Sequence, residues 1–178
     1  MKQKKLRLFG LLLAAAMLLG CLPVQALAAE GGWFYLAADW NGTLLIAPER
    51  VAYTADQTLF EALNASGHSF GPDENSVTQI DGKTGNFIRS DETGSHDLTR
   101  NAAQAGIRYL CFTDRLTAQP SDAMQSLIAA MADYRLEEPD VQLAAQAAYN
   151  AACAGYVTAD DNAALSLYTA LHNAVEQY

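Results

Sequence analysis

Apolar and polar residues alternate in short runs between positions 33 and 113, and turn-forming residues separate the runs. The runs at 33–40 and 43–46 flank Asn41-Gly42, a pair that tolerates positive φ and is the strongest short hairpin signal. We therefore predict a strand, a tight turn and a second strand, which Pro48 ends or bulges. The hairpin contains four aromatic residues, Trp33, Phe34, Tyr35 and Trp40. Some of them must face outward if the strand alternates, although core packing accounts for most of the set.

A helix signal follows the hairpin. Thr58-Leu59-Phe60-Glu61 is a capping box, in which the Thr hydroxyl and the Glu carboxylate accept hydrogen bonds from free backbone N–H groups. The helix should run to Ser66 and stop at Gly67. Three further strands are predicted: Ser76–Ile80 before an Asp81-Gly82 turn, its neighbour Asn86–Ser90, and the nearly continuous apolar run Ile107–Thr113. The predicted order is ββαββ plus an extra strand.

The pattern changes near Pro120, because the rest of the chain is rich in alanine and has apolar residues at helical spacing. Three helices are predicted, the first capped by Ser121, the second opened by Pro139, and the third preceded by the capping and acidic residues 158–161. Short connections favour an up-down-up bundle. The fold class is therefore α+β, with a small β-rich domain at 29–116 and a three-helix bundle at 119–178, which we expect to fold separately.

Four segments of the β-rich part can be compared with known families, because they combine core and turn positions: Thr58–Leu63 followed by Gly67, Val77–Gly82, Gly85–Ile88 and Tyr109–Thr113. With this order, the part resembles the β-grasp-like domain related to the C-terminal domain of transcobalamin, which recurs in secreted and surface proteins of Gram-positive bacteria. The helical part resembles the alanine-rich modules found between domains of such surface proteins. Relatives that resemble cobalamin binders have a Trp and a Tyr pair where this chain has residues 86–89, so cobalamin-type binding is only an alternative here.

The first 28 residues have the three-part pattern of a secretory signal peptide. A basic stretch to Arg7 precedes the apolar run 8–19, and the small-residue pattern Ala26-Leu27-Ala28 follows. We predict cleavage after Ala28 and a secreted or cell-surface protein. The apolar run is short for a membrane anchor, and lipidation at Cys21 is the less favoured alternative.

Composition and charge narrow the choice of partners. Hydrophobic residues make up 51% of the chain, which is enough for a packed core, and the formal net charge is -9. Nucleic acid and anionic membrane surfaces are not expected as partners, because they require a cationic footprint that this acidic chain lacks. Two cysteines remain after the predicted cleavage, Cys111 and Cys153. Free thiols are favoured, while a disulfide between them stays open because an exported chain could form one.

No motif for catalysis, metal binding or cofactor binding is recognisable. The three histidines, at 68, 96 and 172, lack metal-ligand spacing, and neither a P-loop nor a nucleophile elbow is present. Asp91, Thr93, Ser95 and Asp97 alternate as calcium ligands do, but the twelfth position is Ala102 instead of the bidentate Glu. A solvated polar loop is therefore the favoured interpretation. We expect no enzyme activity, no metal and no cofactor.

The densest polar cluster of the predicted mature chain lies in the long connection from Asp91 to Gly106. Because loops on a rigid scaffold carry function, we predict that recognition uses the side chains of this connection: Asp91, Glu92, His96, Asp97 and Arg100. The predicted function is a non-catalytic secreted or cell-surface module that binds a protein, a glycan or a small ligand, or that acts as a spacer. A small extracellular hydrolase without a recognisable motif is the second alternative after cobalamin-type binding.

Overall fold

The predicted hairpin opens the described part of the chain, residues 31–93, 97–114 and 119–178 of a computed structural model. Strands β1 (Gly32–Trp40) and β2 (Thr43–Tyr53) pair antiparallel, and the turn residues Asn41 and Gly42 have φ values of 49° and 74°. The bulge expected at Pro48 is confirmed, since the partners of residues 36 and 38 are residues 49 and 46. The predicted signal peptide lies outside the described residues. No helix in the described part is both long and apolar enough to cross a membrane.

The predicted capping box begins helix α1 (Leu59–Ala65). The Glu61 N–H donates to Thr58 Oγ1 over 3.2 Å, and the Thr58 N–H donates to Glu61 Oε2 over 2.8 Å. Two free N–H groups are thereby satisfied at the helix start, as the sequence predicted. Leu59 and Leu63 are buried, and Gly67 has a φ of 100° just beyond the helix end.

A small antiparallel sheet follows, with the order β3 (Phe70–Asp73), β4 (Ser76–Ile80) and β5 (Lys83–Thr84). The Asp81-Gly82 turn is confirmed, with φ values of 47° and 76°. Strand β3 was not predicted because its sequence, Phe-Gly-Pro-Asp, contains three residues that are depleted in strands. Its Pro72 is tolerated because β3 lies at the edge of this sheet.

The predicted pairing of residues 86–90 is wrong. The strand in this region is β6 (Ile88–Ser90), and it pairs with β7 (Tyr109–Thr113) instead of β4, whose neighbour is β5. Helix α2 (Ala102–Ala105) also interrupts the connection that was predicted to be irregular up to Gly106. The four-stranded sheet has the order β2-β1-β7-β6, in which β1 and β7 are parallel and the other pairs are antiparallel.

The three predicted helices of the C-terminal part are confirmed as α3 (Asp122–Tyr134), α4 (Pro139–Gly155) and α5 (Asp161–Glu176). The Ser121 side chain accepts from the Met124 N–H over 3.3 Å, and Asp160 caps α5 through the Ala163 N–H over 2.8 Å. A short 3-10 helix (Tyr156–Thr158) joins α4 to α5. Together with the two sheets, these helices confirm the α+β class.

The two faces of the four-stranded sheet bury different cores. Phe34 and Leu36 point into a core shared with α1 and the small sheet, while Ala37, Tyr109 and Cys111 join a second core with the helices. The helical residues of that second core are Leu127, Ile128, Met131, Tyr134, Ala145, Ala152, Ala164 and Leu171. Residues 31–178 cluster as one compact unit. Because the second core joins the two predicted parts, we expect them to unfold together, and their ability to fold apart stays a prediction.

Candidate functional site

An exposed aromatic and guanidinium surface lies at the amino end of the helix-facing side of the sheet. We call it the Trp33 surface and define it as Trp33, Tyr35 and Arg50, with Asp133 of α3 beside them. Trp33 is 44% exposed, although it is one of the largest apolar residues of the chain. The Arg50 Cζ lies 4.1 Å from the centroid of the Trp33 ring, and the Tyr35 ring packs edge-on against Trp33 with centroids 4.9 Å apart.

The strand register brings these side chains together. Trp33 and Tyr35 are two residues apart on β1, so they point to the same face of the sheet. Arg50 is the direct partner of Tyr35 on β2 and therefore projects from that face as well. The expectation that part of the aromatic set faces outward is confirmed, because Trp33 is exposed while Phe34 is fully buried.

Helix α3 fixes the guanidinium in place. Arg50 Nη2 and Nε each lie 2.8 Å from Asp133 Oδ1, and the Tyr35 hydroxyl contacts both Asp133 oxygens at 3.3 Å. Burial and the Asp133 carboxylate raise the pKa of Tyr35 above its usual range, so the hydroxyl remains a donor. Arg50 is consequently held over the indole ring before any partner arrives. A cation–π contact at an exposed site contributes about 0.5–1 kcal/mol.

Ion pairs border the Trp33 surface along β2. Glu49 Oε2 lies 2.7 Å from Arg135 Nη1, and Glu49 Oε1 lies 3.2 Å from His68 Nε2. The other ring nitrogen of His68 lies 2.6 Å from Asp81 Oδ2. This chain of contacts links β2 to the small sheet and to the end of α3. These ion pairs anchor β2 next to Arg50.

The structure describes four of the five predicted site residues, all in the connection between β6 and β7, and each of the four makes hydrogen bonds within that connection or to β7. Asp91 is 2% exposed, and its Oδ1 accepts from the Thr93 N–H and hydroxyl, both over 2.7 Å. Glu92 accepts from the backbone N–H of Arg108 and, over 3.4 Å, from that of Tyr109. The expected solvated loop is therefore wrong for Asp91, which is buried.

The other two described members of the predicted cluster lie further along the same connection. Arg100 donates to the Ala105 carbonyl over 3.1 Å and contacts Thr93 Oγ1 at 3.3 Å. Asp97 accepts from the Thr99 hydroxyl and N–H at 2.6 and 2.9 Å, which lowers the pKa of Asp97. His96 lies outside the described residues. A binding role for the cluster stays a prediction.

Both cysteines of the described part are free thiols, as the sequence favoured. Cys111 is buried on β7, and burial raises its pKa to about 12, so the thiol stays protonated at neutral pH. Cys153 is half-buried on α4, and burial is also the main cause of its raised pKa. Within the described residues, no group of three or more His, Cys, Asp or Glu side chains is placed to hold a metal ion.

Sequence reasoning named Trp33 and Tyr35 but missed Arg50. A two-residue turn at Asn41-Gly42 extended without bulges would pair Tyr35 with Pro48, whereas the two register shifts of the hairpin pair it with Arg50. Comparison of the chain with protein-family models, curated proteins and solved structures found no match. The site is therefore interpreted from its own geometry.

Proposed function

We propose that this protein is a non-catalytic extracytoplasmic binding module that recognises another protein through the Trp33 surface. One observation carries the proposal: Trp33 is exposed while Tyr35 and Arg50 pack against it. Trp, Tyr and Arg are the residue types most enriched at interface hot spots. The ion pairs of Glu49 with Arg135 and His68 anchor β2 beside Arg50.

Pre-organisation supports the same proposal. Arg50 is held by Asp133 and by the indole, so little side-chain freedom remains to be lost when a partner binds. A long charged side chain that had to be ordered on binding would reduce the affinity by about 0.5–1.5 kcal/mol. The Trp33 surface therefore suits recognition more than a merely solvated strand end would.

The finer architecture and the compartment belong to the same proposal. We infer that the sheets with α1 form a β-grasp-like domain related to the transcobalamin C-terminal domain, and that α3, α4 and α5 form a three-helix bundle. The capping box at Thr58 and the turn at Asp81-Gly82 support this likeness. Export is supported by the basic, apolar and small-residue order of residues 2–28.

The partner should be isolated by cross-linking the protein to the cell-surface fraction of the producing cells, and its affinity then measured with purified components. Trp33→Ala should weaken binding at least about 30-fold, the effect of losing a hot-spot side chain worth about 2 kcal/mol. Leu143→Ala is the matched control, because Leu143 is 77% exposed and lies on α4, a helix that contributes no residue to the Trp33 surface. It should change the affinity less than twofold.

Equal binding of the partner by wild type and Trp33→Ala would refute the proposal. A glycan array gives the second test, since an exposed indole also stacks on sugar rings. Glycan binding that depends on Trp33 would show that the same surface recognises carbohydrate instead of protein. An absorbance titration with cobalamin tests the alternative ligand, and saturable binding would favour it.

A further inference from the structure

A second feature lies at the opposite, carboxyl end of the same sheet face. A pocket of about 430 Å³ opens between the ends of β1 and β7 and the start of α3. We call it the carboxyl-end pocket, and its polar side chains include Asp39 near the end of β1, Thr113 at the end of β7, and Ser90 at the end of β6. Because β1 and β7 are parallel neighbours, their carboxyl ends meet at one edge of the sheet.

Buried hydrogen-bonding groups line the carboxyl-end pocket. The Thr113 hydroxyl donates to Asp39 Oδ1 over 2.9 Å, and both residues are 5% exposed. Ser90 is 8% exposed, and its Oγ is buried without a hydrogen-bond partner in the described chain. Buried hydroxyl groups are paired in most proteins, so an unpaired one at a pocket wall calls for an explanation.

The β6–β7 register shows which way Ser90 faces. Ser90 is the direct partner of Cys111, so the two side chains project from the same side of the sheet. Cys111 belongs to the core between sheet and helices, and both residues line the carboxyl-end pocket. The unpaired Ser90 hydroxyl therefore lies on the side from which a pocket ligand would approach.

The remaining walls combine an apolar surface with polar groups, one of which is a second carboxylate, that of Asp161. Met124, Tyr156 and Val157 supply apolar and aromatic surface, while Gln119 and Ser121 supply an amide and a hydroxyl. Gln119 is tied to the predicted recognition loop, since its Nε2 donates to the Asp91 carbonyl over 2.9 Å. A pocket volume near 430 Å³ falls within the range of small-molecule sites, which span about 300–1,000 Å³.

We propose that the carboxyl-end pocket binds an uncharged, hydroxyl-bearing molecule of monosaccharide or disaccharide size. Sugar hydroxyls both donate and accept, so one of them can pair with the Ser90 hydroxyl while a neighbour donates to the Asp39 carboxylate. The apolar face of a sugar ring matches Tyr156 and Met124. The Asp39 carboxylate disfavours anions. This site is independent of the Trp33 surface.

The test uses the intact chain and three probes, glucose, N-acetylglucosamine and maltose, each titrated to about 10 mM, which is ten times a Kd of about 1 mM. At least one probe should bind saturably by calorimetry or saturation-transfer NMR. Ser90→Ala should weaken that binding at least about tenfold, a change of about 1.4 kcal/mol. Ser76→Ala, the same substitution at an exposed position on β4, and Trp33→Ala should leave it unchanged.

Thermal unfolding separates loss of binding from loss of structure. Removing a hydroxyl that has no partner should leave the melting temperature of Ser90→Ala unchanged or raise it, while the stabilisation by sugar is lost. The proposal is overturned if none of the three probes binds, or if Ser90→Ala binds as wild type does. Stronger binding of butylamine or acetate than of any sugar would also overturn it, because the ligand class would then be charged.

Discussion

Replacing Leu127 by Ala should destabilise the protein by about 3 kcal/mol, within the range of about 2–5 kcal/mol for buried leucines. Leu127 lies on α3, is fully buried, and belongs to the core that α3 shares with Tyr109 and Cys111 of the sheet. The substitution removes methyl groups from a site bounded by both the sheet and the helices. For a chain of this size, about 3 kcal/mol corresponds to a fall of roughly 6–12 °C in the melting temperature.

Two optical probes follow the two sides of this core. Far-ultraviolet circular dichroism reports mainly on the helices, while the fluorescence of Trp33 and Trp40 reports on β1. Both transitions should shift together in Leu127→Ala, because the lost contacts join the two sides. Leu143→Ala is the matched control: it makes the same change at a position that is 77% exposed, and should alter stability by less than about 0.5 kcal/mol.

Equal effects of the two leucine substitutions would refute the packing argument. A second outcome is a lower midpoint of the circular dichroism transition with no change in the tryptophan fluorescence transition. In that case the helices would unfold apart from the sheet, as the change of composition near Pro120 predicted, and the shared core would not couple the two parts.

Three further predictions concern other parts of the chain. Because burial raises the pKa of Cys111 from 9.0 to about 12, its contribution to stability is complete below pH 9.0 and is lost as the pH rises through about 12. Urea unfolding at rising pH should show this loss in wild type and a smaller one in Cys111→Ala, and parallel curves would contradict it. Thr58→Ala removes the hydroxyl that caps α1, and in the same assay it should cost about 1 kcal/mol. Thr43→Ala, the same substitution at the exposed first residue of β2, should not. Mass spectrometry of exported protein should find a chain that begins at Ala29, and a lipid adduct on Cys21 or an intact N-terminus would show that the processing site is wrong.

Local chemistry determined the elements that the sequence predicted correctly. The Asn41-Gly42 turn needs positive φ at both residues, and the Thr58 capping box satisfies its own N–H groups, so neither requires a distant partner. The starts of α3, α4 and α5 were likewise readable from a serine, a proline and an aspartate at the helix ends. Interactions within a few residues were enough in each case.

Long-range pairing decided what the sequence could not show. Strand β3 forms despite its Gly71 and Pro72 because an edge position beside β4 tolerates them. Residues 88–90 pair with β7, on the side of β7 that β1 does not occupy. The polar pattern of the loop after β6 did not reveal that Asp91 is buried. Burial depends on which distant elements cover a residue, and periodicity describes only the faces of its own element.

The two candidate sites also depend partly on local sequence and partly on long-range pairing. The sequence determined that Trp33 and Tyr35 share one face of a strand, because side chains alternate. Only the bulged register of the folded hairpin placed Arg50 beside them, since each bulge shifts the partner by one residue. The carboxyl-end pocket likewise exists only because β1, β6 and β7, which are distant along the chain, bring Asp39, Ser90 and Thr113 to one face of the sheet that the helices then cover.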